Sequence, residues 1–377
     1  MIYVLLALLL SPLLVRRRRL APGRILVIQT AKIGDFVCTT PLLRSLDIAF
    51  PDAEITALVS PPVVELAEQL PFIDRTIACR TASLKGWRGK IHWARQLRNE
   101  GFDMVFCCNG GSVWPVVSAW AGIPVRIGLA PNFIGKSTAL AQRLWTRSVP
   151  HDGNRLIAET YAGMLSAIGV ERFEPAKTVF ASPAAKDKAL ALFPKDGTPS
   201  IRIGIAVSSG NKLKELGVPL IARVCRDILE EYPEATLVLL GTGEDRAKAS
   251  EVIDAVGAVH RARVVDSCGA FALREVPGLI SALHLFIGVD SGLTYIADAL
   301  EIPLVSIAGP CNMSETRPVN AHAILLQKAM PCAPCAHIFR APYSCRMGTR
   351  ACIGSISADD VMTEVRHLLR RGQIKAG

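Results

Sequence analysis

Aromatic residues are scarce in this chain, 6% of 377 residues, and they are not interleaved with its lysines and arginines. Proteins that track single-stranded nucleic acid stack bases on aromatics set among basic residues, so no nucleic-acid partner is expected. No repeat of solenoid period is visible, which sets aside stacked-repeat folds. Low-complexity tracts are missing too, and with 50% hydrophobic and 20% charged residues the bulk reads as globular. The turn after the first strand-like run, Gln29 to Asp35, lacks Gly-x-Gly-x-x-Gly, and the run from Gly241 begins that motif without completing it. Nicotinamide-dependent oxidoreduction is therefore a rival reading with little support. Acidic residues are outnumbered, 33 against 43 basic, for a formal charge of +10. That balance fits phosphates or an anionic membrane surface, and equally a plain solvated basic face.

Long apolar runs are limited to one, Ile2 to Val15, broken by Pro12 and followed by Arg16 to Arg19. As a helix it would rise roughly 20 Å, short of a ~30 Å hydrocarbon core. Positive charge follows the run instead of preceding it, and no small-residue cleavage site comes after, so the order is wrong for a secretory signal. Residues 1–20 are expected to form a peripheral or monotopic anchor whose arginine collar rests on anionic head groups and holds the rest of the chain on the cytoplasmic side. A single span and an uncleaved signal peptide are the rival readings.

Beyond the anchor the pattern alternates. Arg24 to Thr30 and Glu54 to Ser60 read as strands around a helix Thr40–Phe50 that starts at Pro41. A basic helix Trp87–Asn99, strands at Phe102–Cys108 and Val125–Leu129, and a closing helix Asn154–Ile168 follow. The proline-containing stretch Glu171 to Ser200, with a short helical piece at Pro183–Leu192, marks a boundary. Alternation then restarts from Ile201 through strands near 201, 235, 262, 285 and 303, with helices between. The expected class is α/β: two Rossmann-like, doubly wound parallel-sheet domains, 24–180 and 186–356, facing a cleft. A last helix within 357–377 is expected to pack back toward the N-terminal domain.

Three loops at strand carboxyl ends carry unusual residues. The first holds Lys32, Gly34 and Asp35. The second is Ser208-Ser209-Gly210-Asn211-Lys212-Leu213-Lys214, whose small residues and lysines suit a phosphate or diphosphate. The third, Asp290-Ser291-Gly292-Leu293-Thr294, ends a buried strand and opens a helix whose N-terminus attracts an anion. Each has a plainer alternative: a polar turn with surface lysines, or a helix cap.

Taken together, "RILVIQTAKIGDFVCTTPLLRSL", "SSGNKLKEL", "LVLLGTGED" and "LFIGVDSGLTYIADALEIPLVSIAGP", with the late cysteine segment, resemble glycosyltransferase family 9, the bacterial heptosyltransferases of lipopolysaccharide core assembly. The resemblance runs from about Arg24 to Val361. It implies a GT-B architecture and an inverting transfer without an essential metal or cofactor, from a nucleotide-diphosphate sugar such as ADP-heptose to a lipid-linked or lipopolysaccharide-core acceptor. It assigns the catalytic base to Asp35 and the donor phosphate to Lys214, with Lys212 nearby. Asp290 to Thr294 would hold the donor diphosphate, and Glu244 falls near a ribose-contacting acid. Lys32 and Gly34 would lie on the acceptor side. Leu216 replaces the family's usual tryptophan, and Tyr295 replaces a common histidine. A non-catalytic binding protein on the same scaffold is the second rival, and the joint presence of Asp35, Lys214 and Asp290 argues against it.

Of 11 cysteines, seven are scattered through apolar runs and read as small buried hydrophobes. Cys332, Cys335, Cys345 and Cys352 are grouped. Their type suits a structural zinc ion, but a disulfide pairing and free thiols fit as well. His337 reads as a surface loop residue.

Overall fold

The computed structural model describes residues 2–16, 21–132, 135–193 and 201–370. The arginines at 17–19 and the end of the chain past Arg370 lie outside this description. The chain divides into two compact units, Met1–Thr178 and Val179–Gly377. The first carries strands β1 (Arg24–Gln29), β2 (Glu54–Val59), β3 (Arg75–Ala78), β4 (Met104–Cys107), β5 (Val125–Ala130) and β6 (Arg147–Pro150). The second carries β7 (Ile201–Ala206), β8 (Ala235–Leu240), β9 (Val264–Asp266), β10 (Leu285–Val289), β11 (Leu304–Ala308) and β12 (Ala323–Gln327).

Both sheets are parallel throughout. Their orders are β3-β2-β1-β4-β5-β6 and β12-β11-β10-β7-β8-β9, the same winding repeated. Among the interior strands, β1, β4, β8 and β10 are buried on both faces, as their nearly unbroken apolar runs require. Each sheet reverses direction next to its first strand. Ile28 pairs with Leu58 on one side and Cys107 on the other, and Ile203 pairs with Leu237 and Leu285. At such switch points the loops leaving two adjacent strands part in opposite directions and open a crevice at their carboxyl ends.

Strands β3, β6 and β12 are absent from the sequence reading, and all three are sheet edges. β3 and β6 are short, partly exposed and polar, and β6 ends in Pro150; β12 has an aliphatic run, Ala323 to Leu326, but it is only partly buried at the edge of its sheet.

The helix following β1 corrects a second expectation. It spans Ile33–Ala49, so Pro41 lies inside it and not at its first turn. A proline there leaves the carbonyl four residues back without its helical donor. The carbonyl is Val37 O, and Thr40 Oγ1 donates to it at 2.8 Å. Thr40 Oγ1 in turn accepts the Thr178 amide at 2.9 Å. The helix absorbs its proline through a neighbouring hydroxyl and so runs on from Ile33, with Asp35 in its first turn. The closing helix is also shorter than expected, Ile157–Ser166.

The N-terminal helix Ile2–Leu14 is docked on the first unit, with no fewer than two buried positions, Val4 and Ala7, against Val116, Ala119, Ala141 and Leu144. Its carboxyl end rests on Gly122, whose φ is +71° and whose added Cβ would meet Leu14 O at 2.1 Å. Among the described residues no helix is long and apolar enough to cross a membrane.

In the second unit, helix Ala358–Arg370 lies on helix Val218–Glu231, with Arg366 Nε 2.8 Å from Glu231 Oε2. Val361, Met362, Val365 and Leu368 join the core of that unit, which also contains Leu216.

Candidate active site

In the first unit the loop after β1 is fastened by side chains from elsewhere. Asn109, just past β4, accepts from the Thr30 amide at 2.9 Å and from Thr30 Oγ1 at 3.2 Å. Asn109 Nδ2 donates to Gln29 Oε1 at 3.1 Å, and the Ala31 amide reaches the same oxygen at 3.3 Å. Gln29 Nε2 donates to Thr39 Oγ1 at 3.1 Å, and Thr39 Oγ1 donates back to Asp35 O at 2.8 Å. Tyr161 Oη stands 3.2 Å from the same hydroxyl, and Ser60 Oγ donates to Ala31 O at 2.9 Å. This bracing sets the start of the helix. Asp35 is half-buried at its third position, with Oδ2 accepting the Lys32 amide at 3.0 Å. Gly34 is buried and Lys32 is exposed. A carboxylate so fixed has one oxygen tied to the backbone while the group as a whole keeps a path to solvent.

In the second unit the loop after β7 meets the loop after β10. Lys214 Nζ lies 2.5 Å from Asp290 Oδ2, with the lysine side chain 20% exposed and the aspartate 7%. Tyr295 Oη donates to Asp290 Oδ1 at 2.7 Å. Buried Cys311 lies beside both members of the pair. Burial works against both charges, yet each charge holds the other in place. Despite its burial, Lys214 is raised above the usual lysine range, chiefly by the Asp290 carboxylate. Asp290, despite its own burial, is lowered by Lys214, Cys311 and Tyr295. Burial and the nearby carboxylate keep Cys311 a thiol, well above its ordinary value.

The loop itself is built around Glu215. Its Oε1 accepts the Ser209 amide at 3.0 Å and Lys212 Nζ at 2.8 Å, and Lys248 Nζ stands 3.3 Å from Oε2. Burial opposes the Glu215 charge, and Lys212, the Ser209 amide and Lys248 outweigh it, leaving the carboxyl below its usual range. Asn211 Oδ1 accepts the Leu213 amide at 3.1 Å, and its Nδ2 donates to Pro342 O at 3.0 Å. Lys212 is therefore an exposed partner of Glu215, and Lys214 is the lysine turned to the switch point. Ser208 bonds Asp245, whose Oδ2 also takes the Thr242 amide at 2.7 Å. The acid joined to this loop is Asp245; Glu244, one residue earlier, is exposed. Gly210 is exposed at the loop tip.

Helix Gly292–Ala299 starts from Ser291, whose backbone is extended. Ser291 Oγ is buried and has no partner among the described residues. Thr294 Oγ1 is spent on Val289 O at 2.5 Å, so its hydroxyl serves the strand-to-helix turn. Gly288 permits that turn: a Cβ there would come within 2.9 Å of Thr294 Oγ1. Leu293 is half-buried beside it.

The four late cysteines are free thiols. They sense one another's charge, and Cys345 is lowered by backbone N–H groups, first that of Arg350. Among the described residues no group of three or more His, Cys, Asp or Glu is placed to hold a metal ion. His337 is not a simple surface residue, for its Nδ1 stands 3.2 Å from Glu315 Oε2, a carboxylate only 2% exposed.

Two parallel sheets of one winding, each with polar groups gathered at its switch point, define the class: a Rossmann-like α/β transferase scaffold of GT-B type. The profile described as Glycosyltransferase family 9 (heptosyltransferase) matches residues 91–341, and the chain belongs to that family. It is a glycosyltransferase. Lipopolysaccharide heptosyltransferase 3 of Escherichia coli is 23% identical over 294 residues, 77% of this chain and 85% of that protein. Lipopolysaccharide heptosyltransferase 1 of Campylobacter coli is 24% identical over 292 residues, 76% and 84% of the two chains. The fold is similar to that of the E. coli ADP-heptose lps heptosyltransferase II, at TM-score 0.73 and 20% identity, covering 93% of this chain and 99% of the other. It is also similar to a family 9 glycosyl transferase from Veillonella parvula, at TM-score 0.77 and 20% identity, covering 94% and 100%.

Proposed function

We propose that the chain transfers a heptose, with inversion and without a catalytic metal ion, from a donor of the ADP-heptose class to a lipopolysaccharide-core or related lipid-linked acceptor. The proposed place of work is the cytoplasmic face of the inner membrane. The observation that carries this reading is the buried Lys214–Asp290 pair at the second sheet's switch point, beside the unpartnered Ser291 hydroxyl. The relatives are heptosyltransferases by name, which favours the sugar.

In the proposed step an acceptor hydroxyl oxygen bonds to the anomeric carbon as the bond from that carbon to the diphosphate breaks. Negative charge grows on the leaving diphosphate. An ammonium has three donors, and Asp290 takes one, so the pairing aims Lys214 without exhausting it. The N-terminus of helix Gly292–Ala299, with Ser291 at its cap, adds positive potential. Fixed donors at the point where charge develops need no reorganisation and do the work a metal ion would otherwise do. Asp35 receives the proton of the acceptor hydroxyl.

The test is ADP release from ADP-heptose in the presence of a heptose-deficient core acceptor, with the product's anomeric configuration read by NMR and a chelator added in parallel. Matched ADP and inverted product, indifferent to chelator, are expected. Turnover of a different nucleotide sugar in place of ADP-heptose would contradict the donor assignment, and a chelator-sensitive rate would contradict the metal-free step.

A further inference from the structure

The N-terminal helix buries one stripe and leaves another apolar. Val4 and Ala7 are covered, while Ile2 and Leu13 are 77% and 82% exposed and Leu5, Leu6, Leu9 and Leu10 are also exposed. The helix is held in this posture by polar contacts at both ends. Tyr3 Oη stands 3.2 Å from Ser112 Oγ, the Arg16 amide donates to Gly122 O at 3.1 Å, and Arg98 Nη1 donates to Leu14 O at 3.2 Å. Arg16 Nη2 also donates to Phe102 O. A docked helix with a row of leucines turned to water marks an interaction surface on that side.

Beside it runs an open groove of about 850 Å³, inside the ordinary range for ligand sites of roughly 300–1,000 Å³. Leu6, Leu10 and Leu14 line one wall, and Trp87, Ile91 and Ala94 of helix Gly86–Glu100 line the other. The charged side chains in its lining are Lys90, Arg95 and Arg98, and no carboxylate is among them. Lys90 is engaged inward, donating to Leu84 O and Gly86 O at 3.2 and 2.9 Å. Arg95 and Arg98 are exposed, as are Lys85 and Arg88 on the same stretch. Trp87, 61% exposed, stands at the start of that helix with the Arg88 guanidinium over its ring at 5.6 Å. An apolar slot, an exposed indole and a rim of one sign match an acyl chain below an anionic head group.

We propose that this groove takes an acyl chain of an anionic membrane phospholipid, so that helices Ile2–Leu14 and Gly86–Glu100 together form the membrane-engaging face. The N-terminal helix lies in the interface with its exposed leucines among the lipid chains. Trp87 sits at head-group depth, and Arg95 and Arg98 pair with lipid phosphate. The inference rests on the reading of the chain as working at a membrane surface and adds which residues make the contact and with what.

Flotation of the full chain with vesicles tests it, comparing phosphatidylcholine alone with phosphatidylcholine containing phosphatidylglycerol. Trp87→Ser and Arg95→Glu are run beside the parent, with melting temperature as the folding control. Brominated acyl chains supply a second readout, since bromine quenches an indole that it touches. Expected is binding to the anionic vesicles, at least tenfold weaker in either variant at unchanged melting temperature, and quenching that the Trp87→Phe variant largely loses. Parent-like binding by both variants, without quenching of Trp87, would overturn the groove and leave membrane attachment through the exposed leucines standing. Failure of the parent to float with any vesicle would overturn both. Equal binding to neutral and anionic vesicles would overturn the role given to the arginines.

Discussion

Lys214 Nζ and Asp290 Oδ2, 76 residues apart in sequence, meet at 2.5 Å where β7 and β10 end. The two motifs that each look like a phosphate site in the sequence are in the fold one charge pair. Asp290 positions the lysine, and Tyr295 and Cys311 position Asp290.

This relationship fixes what Lys214→Ala does. Removing the lysine leaves a carboxylate that is 7% exposed without its counter-charge. Breaking a buried pair costs about 3–5 kcal/mol, and the partial exposure of Lys214 favours the lower end. The variant is therefore expected to lose stability as well as donor use. In the double variant Lys214→Met, Asp290→Asn no charge is left to bury, so melting temperature should recover while turnover stays down roughly 10²–10³-fold. Thermal melts and kinetics on the two proteins check this, and recovery of turnover with stability would show the pair to be structural.

Thr40 offers a test of the helix that presents Asp35. Thr40→Val keeps the shape and removes the hydroxyl that serves Val37 O and the Thr178 amide. Val37 O then loses its partner in a buried place and the Thr178 amide in a partly buried one, for a total of about 1–3 kcal/mol. Denaturant unfolding should show that loss. No loss would mean that Pro41 is tolerated without the hydroxyl.

His284 gives the second unit a pH dependence. Burial and the neighbouring Arg202 guanidinium lower its value from 6.5 to about 4. Between these values the unfolded chain takes up a proton that the folded chain refuses, so stability falls as pH drops from 6.5 toward 4 and is level above 6.5. His284→Asn, whose amide oxygen can accept the Arg202 amide as Nδ1 does at 3.0 Å, should flatten that slope. Unfolding curves at pH 4.5, 5.5 and 7 measure it, and an unchanged slope would assign the dependence elsewhere.

The central strands and the three chemistry-bearing loops are legible in the sequence because aliphatic runs and small-residue turns are local signals. The partners of those loops are not. Asn109 reaches Thr30 from the far side of the switch point, and Cys311 comes from beyond β11, so their roles exist only once the sheet is wound. Tyr295 reads in sequence as a departure from the family pattern, and in the fold it is a donor to Asp290. Leu216, the other departure, is a core residue. Asp245, next to the Glu244 that the family resemblance singles out, interacts with Ser208, a contact between two loops that neither loop's sequence shows. The start of the helix after β1 is hidden in the sequence for a physical reason. Proline favours first turns, and the compensating bond from Thr40 that lets Pro41 sit mid-helix cannot be read from spacing.

Asp35 stands in the first turn of the same helix, where its Oδ2 accepts the Lys32 amide at 3.0 Å. As the base of the proposed transfer it must be ionised and reach the acceptor hydroxyl. As a cap alone it need only accept a backbone hydrogen bond, which asparagine does almost equally well. Turnover and donor affinity measured on one Asp35→Asn protein separate the two roles. The account predicts a fall in turnover of roughly 10²–10⁴-fold, with donor affinity and melting temperature close to those of the parent. Near-normal turnover in that variant would contradict it.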